Sequence, residues 1–295
     1  MDTSHEARTA LVTGANQGLG RALVARLASR LSPRDRVLLT GRDPDRVAEA
    51  AAGVSAELPP GSATVEGRLL DVRDPAAIHA LAEELGAVDL VFSNAWARIG
   101  PDDDPAALVD AVTETSNVAT SEMLRAFGPR LRAGGRLIVV ASSMGTLDKL
   151  DPRVRPRFAA AADADLDAVD ALVAEWRNAV LAGRAEEEGF GSWLNVASKV
   201  AQVAAVRAYA RPRREGDLRD GTLVAALCPG LIDTDASRPW FEDMSSAQTT
   251  TEAAVWPVEL VLGTADVAAW HGELVQFGEV LPWETGAPVR GRIAG

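Results

Sequence analysis

Two polar residues one helical turn apart, Asn195 and Lys199, stand out in the stretch GSWLNVASKVAQV at positions 191–203. A spacing of four residues places both side chains on the same face of a helix. The chain has only two lysines, Lys149 and Lys199, so a lysine at this point is less easily explained by chance. An ammonium group and an amide can together polarise an oxygen atom, but an amide cannot transfer a proton near neutral pH. The pair is therefore the first candidate for a functional site.

A glycine-rich loop is the second feature with chemical potential. The sequence TGANQGLG at 13–20 follows an apolar run and opens a helix, with glycines at positions 14, 18 and 20. Such glycines let the backbone turn tightly and approach a pyrophosphate, which the positive end of the helix attracts. Three glycines alone also fit an ordinary tight turn. The strand–loop–helix context favours a nucleotide site.

The end of the second predicted strand indicates which nucleotide binds. It carries Gly41 and Arg42, where a protein specific for NAD would place a carboxylate to bond the ribose hydroxyls. A guanidinium there can bind a 2′-phosphate through two hydrogen bonds. Asp43, one residue further on, is a competing candidate, and a solvated pair of Arg42 and Asp43 is the alternative. We expect the cofactor to be NADP(H).

Alternating strands and helices must position these residues. Strands are predicted at 9–14, 36–42, 65–72, 88–95, 136–143 and 222–230, each an apolar run, with helical segments between them. Regular alternation with strands apolar on both faces predicts a parallel sheet covered by helices on each side. With no internal repeat and no linker, we predict one α/β domain over residues 1–295, a doubly wound Rossmann-type parallel sheet.

One long segment interrupts this alternation before the helix that carries Lys199. Residues 163–184 place apolar side chains at steps of three and four, namely Leu166, Val169, Val173, Trp176 and Val180. Acidic residues crowd the start, and Arg177 and Arg184 lie near the end, as the helix dipole prefers. We predict an extra amphipathic helix laid on the domain, within a helical insert at about 150–190.

Composition narrows the classes of partner. The net charge of −12 argues against nucleic acid or an anionic membrane, since both need a basic face. The sequence offers no apolar run of membrane-spanning length and no secretion signal, and a single cysteine, Cys228, fits a reducing cytoplasm. We expect a cytoplasmic protein with a small-molecule substrate. The acidic run at 101–105 is interpreted as a solvated turn, so no metal site is predicted, and Cys228 as a small buried hydrophobe.

With these motifs the chain resembles the short-chain dehydrogenase/reductase family, and within it the carbonyl-reductase-like branch, over essentially its whole length. TGANQGLG matches the family's cofactor loop, LDV at 70–72 its adenine contact, SNAW at 93–96 its N-N-A-G motif, and CPGLIDT at 228–234 the turn that closes over the nicotinamide. The resemblance implies that NADP(H) is bound by Gly14, Asn16, Gln17, Gly18, Leu19, Gly20, Arg42, Asp71, Val72, Asn94, Ala95, Lys199, Pro229, Gly230, Ile232 and Thr234.

The resemblance also assigns a catalytic set: Asn117, Ser143, Asn195 and Lys199. Asn117 matches the asparagine that holds the lysine through water, and Ser143 matches the substrate-binding serine. Lys199 matches the active-site lysine, whose ammonium lowers the pKa of a proton-donating tyrosine one turn earlier. Asn195 occupies the position of that tyrosine, so the active site is atypical.

No other residue replaces the tyrosine in an obvious way. The only tyrosine, Tyr209, lies ten residues beyond Lys199 on the same predicted helix, about 15 Å away along its axis. The three histidines, His5, His79 and His271, have no motif context and are expected to be solvated. Lys199 itself, or a water molecule held beside it, stays open as the proton source.

Aromatic residues surround the predicted site. Trp96 stands where the N-N-A-G motif ends in glycine, so its ring must fill pocket space or displace part of the usual cofactor pose. Trp193 adds a ring at the mouth of the cleft, while Met144, Trp240 and Phe241 match loops that border the substrate, the last two in a loop at about 235–250. Packing is the alternative role for Trp193 and Trp240. We expect a bulky substrate, apolar or aromatic.

Three functions remain open at this point. The first is an oxidoreductase that reduces a carbonyl compound with NADPH by a non-standard proton route. The second is a redox-neutral cyclase, isomerase or dehydratase on the same scaffold, with a structural nucleotide. The third is a catalytically silent protein that binds NADP(H), against which the intact motif residues argue. In the carbonyl-reductase-like branch the insert covers the surface through which other members dimerise, which implies a monomer.

Overall fold

One eight-stranded sheet organises the part of the chain that the computed structural model describes, residues 6–263 and 266–285. The strands are β1 (Thr9–Val12), β2 (Arg36–Gly41), β3 (Thr64–Leu69), β4 (Val88–Ser93), β5 (Leu131–Val140), β6 (Leu223–Leu227), β7 (Leu274–Gln276) and β8 (Glu279–Leu281). Their order across the sheet is β3-β2-β1-β4-β5-β6-β7-β8. All neighbours pair in parallel except β7 and β8, which form an antiparallel hairpin. The predicted α/β class is confirmed.

Helices cover both faces of the sheet. They are α1 (Gly18–Arg30), α2 (Pro44–Glu57), α3 (Pro75–Leu85), α4 (Pro105–Val112), α5 (Ala119–Phe127), α6 (Arg155–Asp163), α7 (Leu166–Leu181), α8 (Leu194–Ala210), α9 (Arg214–Asp220), α10 (Thr250–Ala253), α11 (Val255–Leu262) and α12 (Val267–Trp270). The apolar sides of α1, α2 and α11 form the core on one face. Those of α3, α5, α7 and α8 form the larger core on the other face. Among the described helices, none combines the length and apolar character needed to cross a membrane.

The sheet reverses its strand order between β1 and β4. Strand β1 pairs with β2 on one side and with β4 on the other, so the chain leaves β1 and β4 toward opposite faces. At such a point the loops after the two strands diverge and open a crevice at their carboxyl ends, which is the usual ligand site of this fold class. The predicted cofactor loop follows β1, and the SNAW motif follows β4.

The predicted insert is helical but is divided. Residues 163–184 were expected to form one helix, whereas α6 ends at Asp163 and α7 begins at Leu166. The cause is Asp165, whose carboxylate accepts a hydrogen bond from Ala168 N at 2.8 Å and so caps a new helix. The five apolar residues predicted to face the domain are all buried on α7. Arg184 lies beyond the end of that helix.

The predicted strands are longer than the observed ones mainly at their carboxyl ends, where the motifs lie. The first strand ends at Val12 and not at 14, and β3 ends at Leu69 and not at 72, because motif residues there leave the sheet to line the crevice. The sequence reasoning missed β7 and β8, which have three residues each. Strands this short lack the alternation that identifies longer ones.

Candidate active site

The loop between β1 and α1 is built for close backbone approach. Gly14 has a φ of +61°, and a Cβ there would lie 2.8 Å from the Cα of Ala95. A Cβ on Gly20 would lie 2.5 Å from the carbonyl oxygen of Gly14. Gln17 precedes α1 without capping it through its side chain, so the first N–H groups of the helix stay available to an anion. This arrangement fits a pyrophosphate and goes beyond an ordinary tight turn.

A threonine that the sequence reasoning missed joins this loop to β4. The hydroxyl of Thr13 accepts hydrogen bonds from Asn94 N at 2.9 Å and from Ala95 N at 3.1 Å. The side-chain amide of Asn94 donates a hydrogen bond to the carbonyl oxygen of Thr13 at 2.9 Å. The two sides of the crevice are therefore fixed to each other. Thr13 belongs to the TGANQGLG motif, so its position was the available signal.

At the end of β2 the guanidinium of Arg42 is exposed, while the carboxylate of Asp43 is used to cap the next helix. Asp43 caps α2, its carboxylate accepting a hydrogen bond from Arg46 N at 3.1 Å. Arg42 is exposed and makes no ion pair within residues 6–263 and 266–285. The guanidinium of Arg46, which the sequence reasoning also missed, bonds the side chain of Gln17 in the cofactor loop. Two arginines therefore stand at the place where a 2′-phosphate would lie.

The other cofactor candidates line the same crevice. Asp71 follows β3, where Arg73 holds its carboxylate at 2.7 Å and keeps its pKa below the ordinary value. On the far side, Gly230 turns the chain with a φ of +85°. Gln248 donates a hydrogen bond to the carbonyl oxygen of Pro229 at 3.0 Å and forms a bridge with Ile232. The turn after β6 is thus tied to the start of α10 and is rigid.

Lys199 lies in a closed cage and is only 8% exposed. Its Nζ donates hydrogen bonds to Oε1 of Gln202 at 2.8 Å and to the carbonyl oxygen of Val140 at 3.3 Å. The ring of Trp96 covers the third side, with its centroid 3.8 Å from Nζ. Gln202 was not anticipated, although its position three residues after Lys199 on α8 places it on the same face.

Burial changes the acidity of this ammonium group. Loss of water lowers the pKa of Lys199 from its ordinary 10.5 to about 7, and proximity to the Cys228 thiol acts weakly in the opposite direction. A desolvated cation gains about 2 kcal/mol from a ring face. That is less than the roughly 5 kcal/mol that a shift of this size represents. Desolvation therefore decides the direction, and Lys199 exchanges its proton near neutral pH.

Asn117 supports α8 from an irregular helical segment. It lies in a π-helical turn, Thr113–Val118, between α4 and α5. Its amide donates to the carbonyl oxygen of Ser198 at 2.9 Å, and the Ser198 hydroxyl donates back to Oδ1 of Asn117 at 2.9 Å. Turns of this type are uncommon and concentrate at functional sites. The paired bonds fix the backbone of α8 directly beside Lys199.

Ser143 and Asn195 open toward the crevice. Ser143 is exposed just after β5, and Asn195 is partly exposed in the first turn of α8. The loop that carries Ser143 presses against α8, because a Cβ on Gly145 would lie 3.0 Å from the carbonyl oxygen of Lys199. The structure therefore brings all four members of the predicted catalytic set to one end of the sheet.

Neither Tyr209 nor a described histidine can replace the missing tyrosine as the proton donor. The Tyr209 hydroxyl is buried against Gly128 at the other end of α8, and burial raises its pKa to about 12. His79 is partly exposed and pairs with Glu122 at 2.7 Å. The expected solvation of His271 is wrong: it is 2% exposed, since its ring fills the gap beside β6 and bonds backbone atoms of Val224 and Ala210. His5 lies outside the described residues.

Aromatic side chains border the opening of the site. The rings of Trp193 and Trp240 lie 5.9 Å apart, and the Trp240 indole donates to the carbonyl oxygen of Ile99 at 3.1 Å. Trp193 is 61% exposed, so packing does not account for its position. Beside it lies a cavity of about 440 Å³, lined by Lys149, Leu150, Asp151, Glu186, Gly189, Phe190, Gly191, Ser192, Trp193 and Val196. Phe241 is also exposed, and Met144 is partly buried.

The acidic run at 101–105 has local structural roles. The carboxylate of Asp103 accepts a hydrogen bond from Gly100 N at 2.6 Å, and Asp104 caps α4. Among the described residues, no group of three or more His, Cys, Asp or Glu side chains is arranged so that it could hold a metal ion. Cys228 is buried, as expected for a small apolar side chain.

Comparison with known proteins agrees with this geometry. The family described as short chain dehydrogenase matches residues 8–151. The chain is similar to carbonyl reductase (NADPH) 3 of Mus musculus, with 30% identity over 287 residues that cover 94% of this chain and 98% of that protein. It is also similar to carbonyl reductase (NADPH) 1 of Rattus norvegicus, with 28% identity over 95% of this chain and all of that protein.

Solved structures share the fold over most of the chain. Salutaridine reductase from Papaver somniferum superposes with a TM-score of 0.74 at 20% identity, covering 90% of this chain and 99% of that one. An NADPH-bound carbonyl reductase from chicken fatty liver gives a TM-score of 0.65 at 22% identity, covering 95% and 100%. At these identities the likeness shows the fold alone. Together with the curated relatives, it means that this chain belongs to the short-chain dehydrogenase/reductase family.

Proposed function

We propose that this protein is an NADPH-dependent carbonyl reductase that acts on a bulky apolar or aromatic ketone and delivers the proton without a tyrosine. The observation that carries the proposal is the pairing of a complete dinucleotide crevice with Ser143 and Lys199 at its far end. Its curated relatives are named carbonyl reductases that use NADPH.

The residues that line the crevice fit NADP(H). The N-terminus of α1 would take the pyrophosphate, and Arg42 with Arg46 would take the 2′-phosphate. The side chains that follow β3 and β4 would line the adenosine and ribose. When bound, NADPH supplies the hydride for the reduction. The protein must then hold the carbonyl group and provide a proton for its oxygen.

The reacting carbonyl would lie between Ser143 and Asn195. Each can donate a hydrogen bond to its oxygen, which polarises the carbonyl and stabilises the negative charge that develops there. Asn195 cannot complete the reaction, because an amide does not release a proton near neutral pH. General acid catalysis is worth about 10² to 10⁴ in rate. We therefore expect reduction that is slow compared with an enzyme that keeps the tyrosine.

The substrate class follows from the opening of the site. Trp193 and Trp240 lie 5.9 Å apart with tilted rings, and the Trp96 ring lies over Lys199. Flat apolar or aromatic ketones suit such walls better than small polar ones, since ring contacts and loss of water favour them.

A second candidate is a redox-neutral reaction on the same scaffold. Trp96 is the observation that favours it, because its ring covers Lys199 at the nicotinamide end of the crevice. A cyclase, isomerase or dehydratase would need only an oxygen held by Ser143, Asn195 and Lys199. The nucleotide would then be structural.

The decisive variant is Asn195→Tyr, with Asn195→Phe as its matched control of equal size without the hydroxyl. Oxidation of NADPH by a panel of aromatic ketones is measured at mildly alkaline pH. The natural protein should reduce them slowly, Asn195→Tyr should be faster by about 10² or more, and Asn195→Phe should gain nothing.

Two outcomes would contradict this proposal. No ketone reduction by either the natural protein or Asn195→Tyr, despite binding of NADPH, would favour the redox-neutral function. Fast reduction by the natural protein with no gain from the tyrosine would show that Asn195 does not limit the proton transfer.

A further inference from the structure

We propose that Lys199 itself supplies the proton in this reaction and that Trp96 is the positioning residue that fits it for the task. The inference rests on the proposed reductase function and deepens it. In the family's pattern the lysine adjusts the acidity of a tyrosine. In this chain, the lysine would be the acid.

The hydrogen bonds of Lys199 engage two N–H groups of the ammonium, and the third lies on the side that the Trp96 ring covers. The amide of Gln202 donates to the carbonyl oxygen of Ser116 at 3.2 Å and to the hydroxyl of Thr120 at 3.1 Å, so its oxygen must face Nζ. That oxygen and the carbonyl oxygen of Val140 occupy two N–H groups of the ammonium. A neutral amine also has two N–H groups. Gln202 and Val140 can therefore accept hydrogen bonds from both the ammonium and the neutral amine of Lys199.

Trp96 closes the cage where the family's glycine would leave it open. Its ring lies 3.8 Å from Nζ and separates the ammonium from water in the crevice. The two departures from the family pattern then act together. Asn195 in place of the tyrosine removes the phenol as proton donor, and Trp96 in place of the glycine shields Lys199 from water. As the pKa of about 7 shows, burial gives the ammonium the acid strength that a general acid needs near neutral pH.

The surroundings place Lys199 near the loop that carries Ser143. Val140, which accepts one of its hydrogen bonds, lies three residues before Ser143. The titratable group that acts on it is the Cys228 thiol after β6, and Ser143 lies within hydrogen-bonding reach of the same thiol. Burial raises the pKa of Cys228, and the nearby Lys199 ammonium acts in the opposite direction. Lys199 and Ser143 thus share one corner of the site.

The proposed step balances without a further reagent. Lys199 gives its third ammonium proton to the carbonyl oxygen, which must reach Nζ at the edge of the Trp96 ring, while the carbonyl carbon receives the hydride. The π pair of the C=O bond becomes the new O–H bond, and the product is an alcohol. Lys199 is left as a neutral amine and recovers a proton from water through its remaining 8% exposure after the product has left.

A direct measurement uses the low lysine content of the chain. Because Lys149 and Lys199 are the only lysines, ¹³C labelling of the lysine ε-carbon gives two side-chain NMR signals, which Lys149→Arg assigns. We expect the Lys199 signal to titrate near 7. In Trp96→Gly, water reaches the ammonium and the midpoint should move toward 10.5, whereas Trp96→Phe should keep a lowered midpoint because a ring still covers Nζ.

Kinetics then connect this titration to the reaction. The protonated lysine is the donor, so ketone reduction at saturating NADPH should be constant below the Lys199 midpoint. Above it, the rate should fall by about tenfold per pH unit. Lys199→Arg keeps the positive charge but cannot release a proton near neutral pH, so reduction should drop by about 10² or more while NADPH still binds. Adding Asn195→Tyr to that variant should restore reduction.

Three results would overturn the inference while leaving the reductase function intact. They are a Lys199 signal that titrates near its ordinary 10.5, a rate that stays flat through the measured midpoint, and full activity in Lys199→Arg. If Lys199→Arg does not fold, the titration and the rate profile of the natural protein decide the matter. Absence of ketone reduction in both the natural protein and Asn195→Tyr would instead refute the reductase function.

Discussion

At the residue scale, the clearest single determinant is Arg42. It is exposed at the end of β2 without an ion pair among the described residues, and capping of α2 removes Asp43 as a competitor for the ribose. Arg42→Ala should weaken NADPH binding by about 1.5 to 3 kcal/mol, the usual value of a hydrogen bond to a charged group. NADH binding should be nearly unchanged. Isothermal titration calorimetry measures both affinities.

Arg68→Ala is the control for Arg42→Ala. Arg68 carries the same charge on the neighbouring strand β3, where it pairs with Glu84 on α3. Its loss should leave NADPH binding nearly as it was. An equal loss of affinity in both variants would mean that overall charge, and not a specific contact at Arg42, selects the phosphorylated cofactor.

Sequence reasoning reached most of the site residues that have a recognised role in a motif and missed residues whose role depends on contacts in the folded protein. Lys199 and Asn195 were found because their spacing along one helix is visible in the sequence. Gln202 and Thr13 were missed, since their importance depends on which side chains the fold brings to them. His271 was misjudged for the same reason, because β6 and α12 meet around it.

At the scale of elements, the insert shows how far periodicity predicts structure. The three- and four-residue steps identified the buried face of α7 correctly, because burial follows the helical repeat. They did not locate the break before Leu166, which depends on one capping carboxylate, Asp165. The short hairpin of β7 and β8 left no periodic pattern at all. Pairing with β6 defines β7, and that pairing is not local in the sequence.

Trp176 tests how strongly α7 is attached. It lies on the buried face of the helix and is 1% exposed. Trp176→Ala should lower the free energy of unfolding by about 3 to 5 kcal/mol, as expected when a large core side chain leaves a cavity. Chemical denaturation followed by circular dichroism gives the value. Trp193→Ala, at a ring that is 61% exposed, should cost far less, and equal losses would contradict the assignment of α7 to the core.

At the scale of the whole molecule, α7 lies over the larger of the two cores. It packs against α4, the π-helical turn and α8 on the face of the sheet opposite α1. Polar contacts secure its outer edge: Asp170 accepts a hydrogen bond from Ser121 at 2.6 Å and pairs with Arg125 at 2.8 Å. Arg177 pairs with Asp110 at 2.7 Å. The helix thus covers its neighbours with apolar and polar contacts together.

Because α7 covers this face of the molecule, we expect the protein to be a monomer. The apolar face of α7 is used up within the chain, and what faces outward is largely charged, which disfavours a large apolar interface. Sedimentation equilibrium at micromolar concentration should give the mass of one chain, 31.0 kDa. Asp170→Arg places a second cation beside Arg125, so it should loosen α7, expose apolar surface beneath it and promote association. A natural protein of twice the chain mass would show that α7 forms an interface and does not block one.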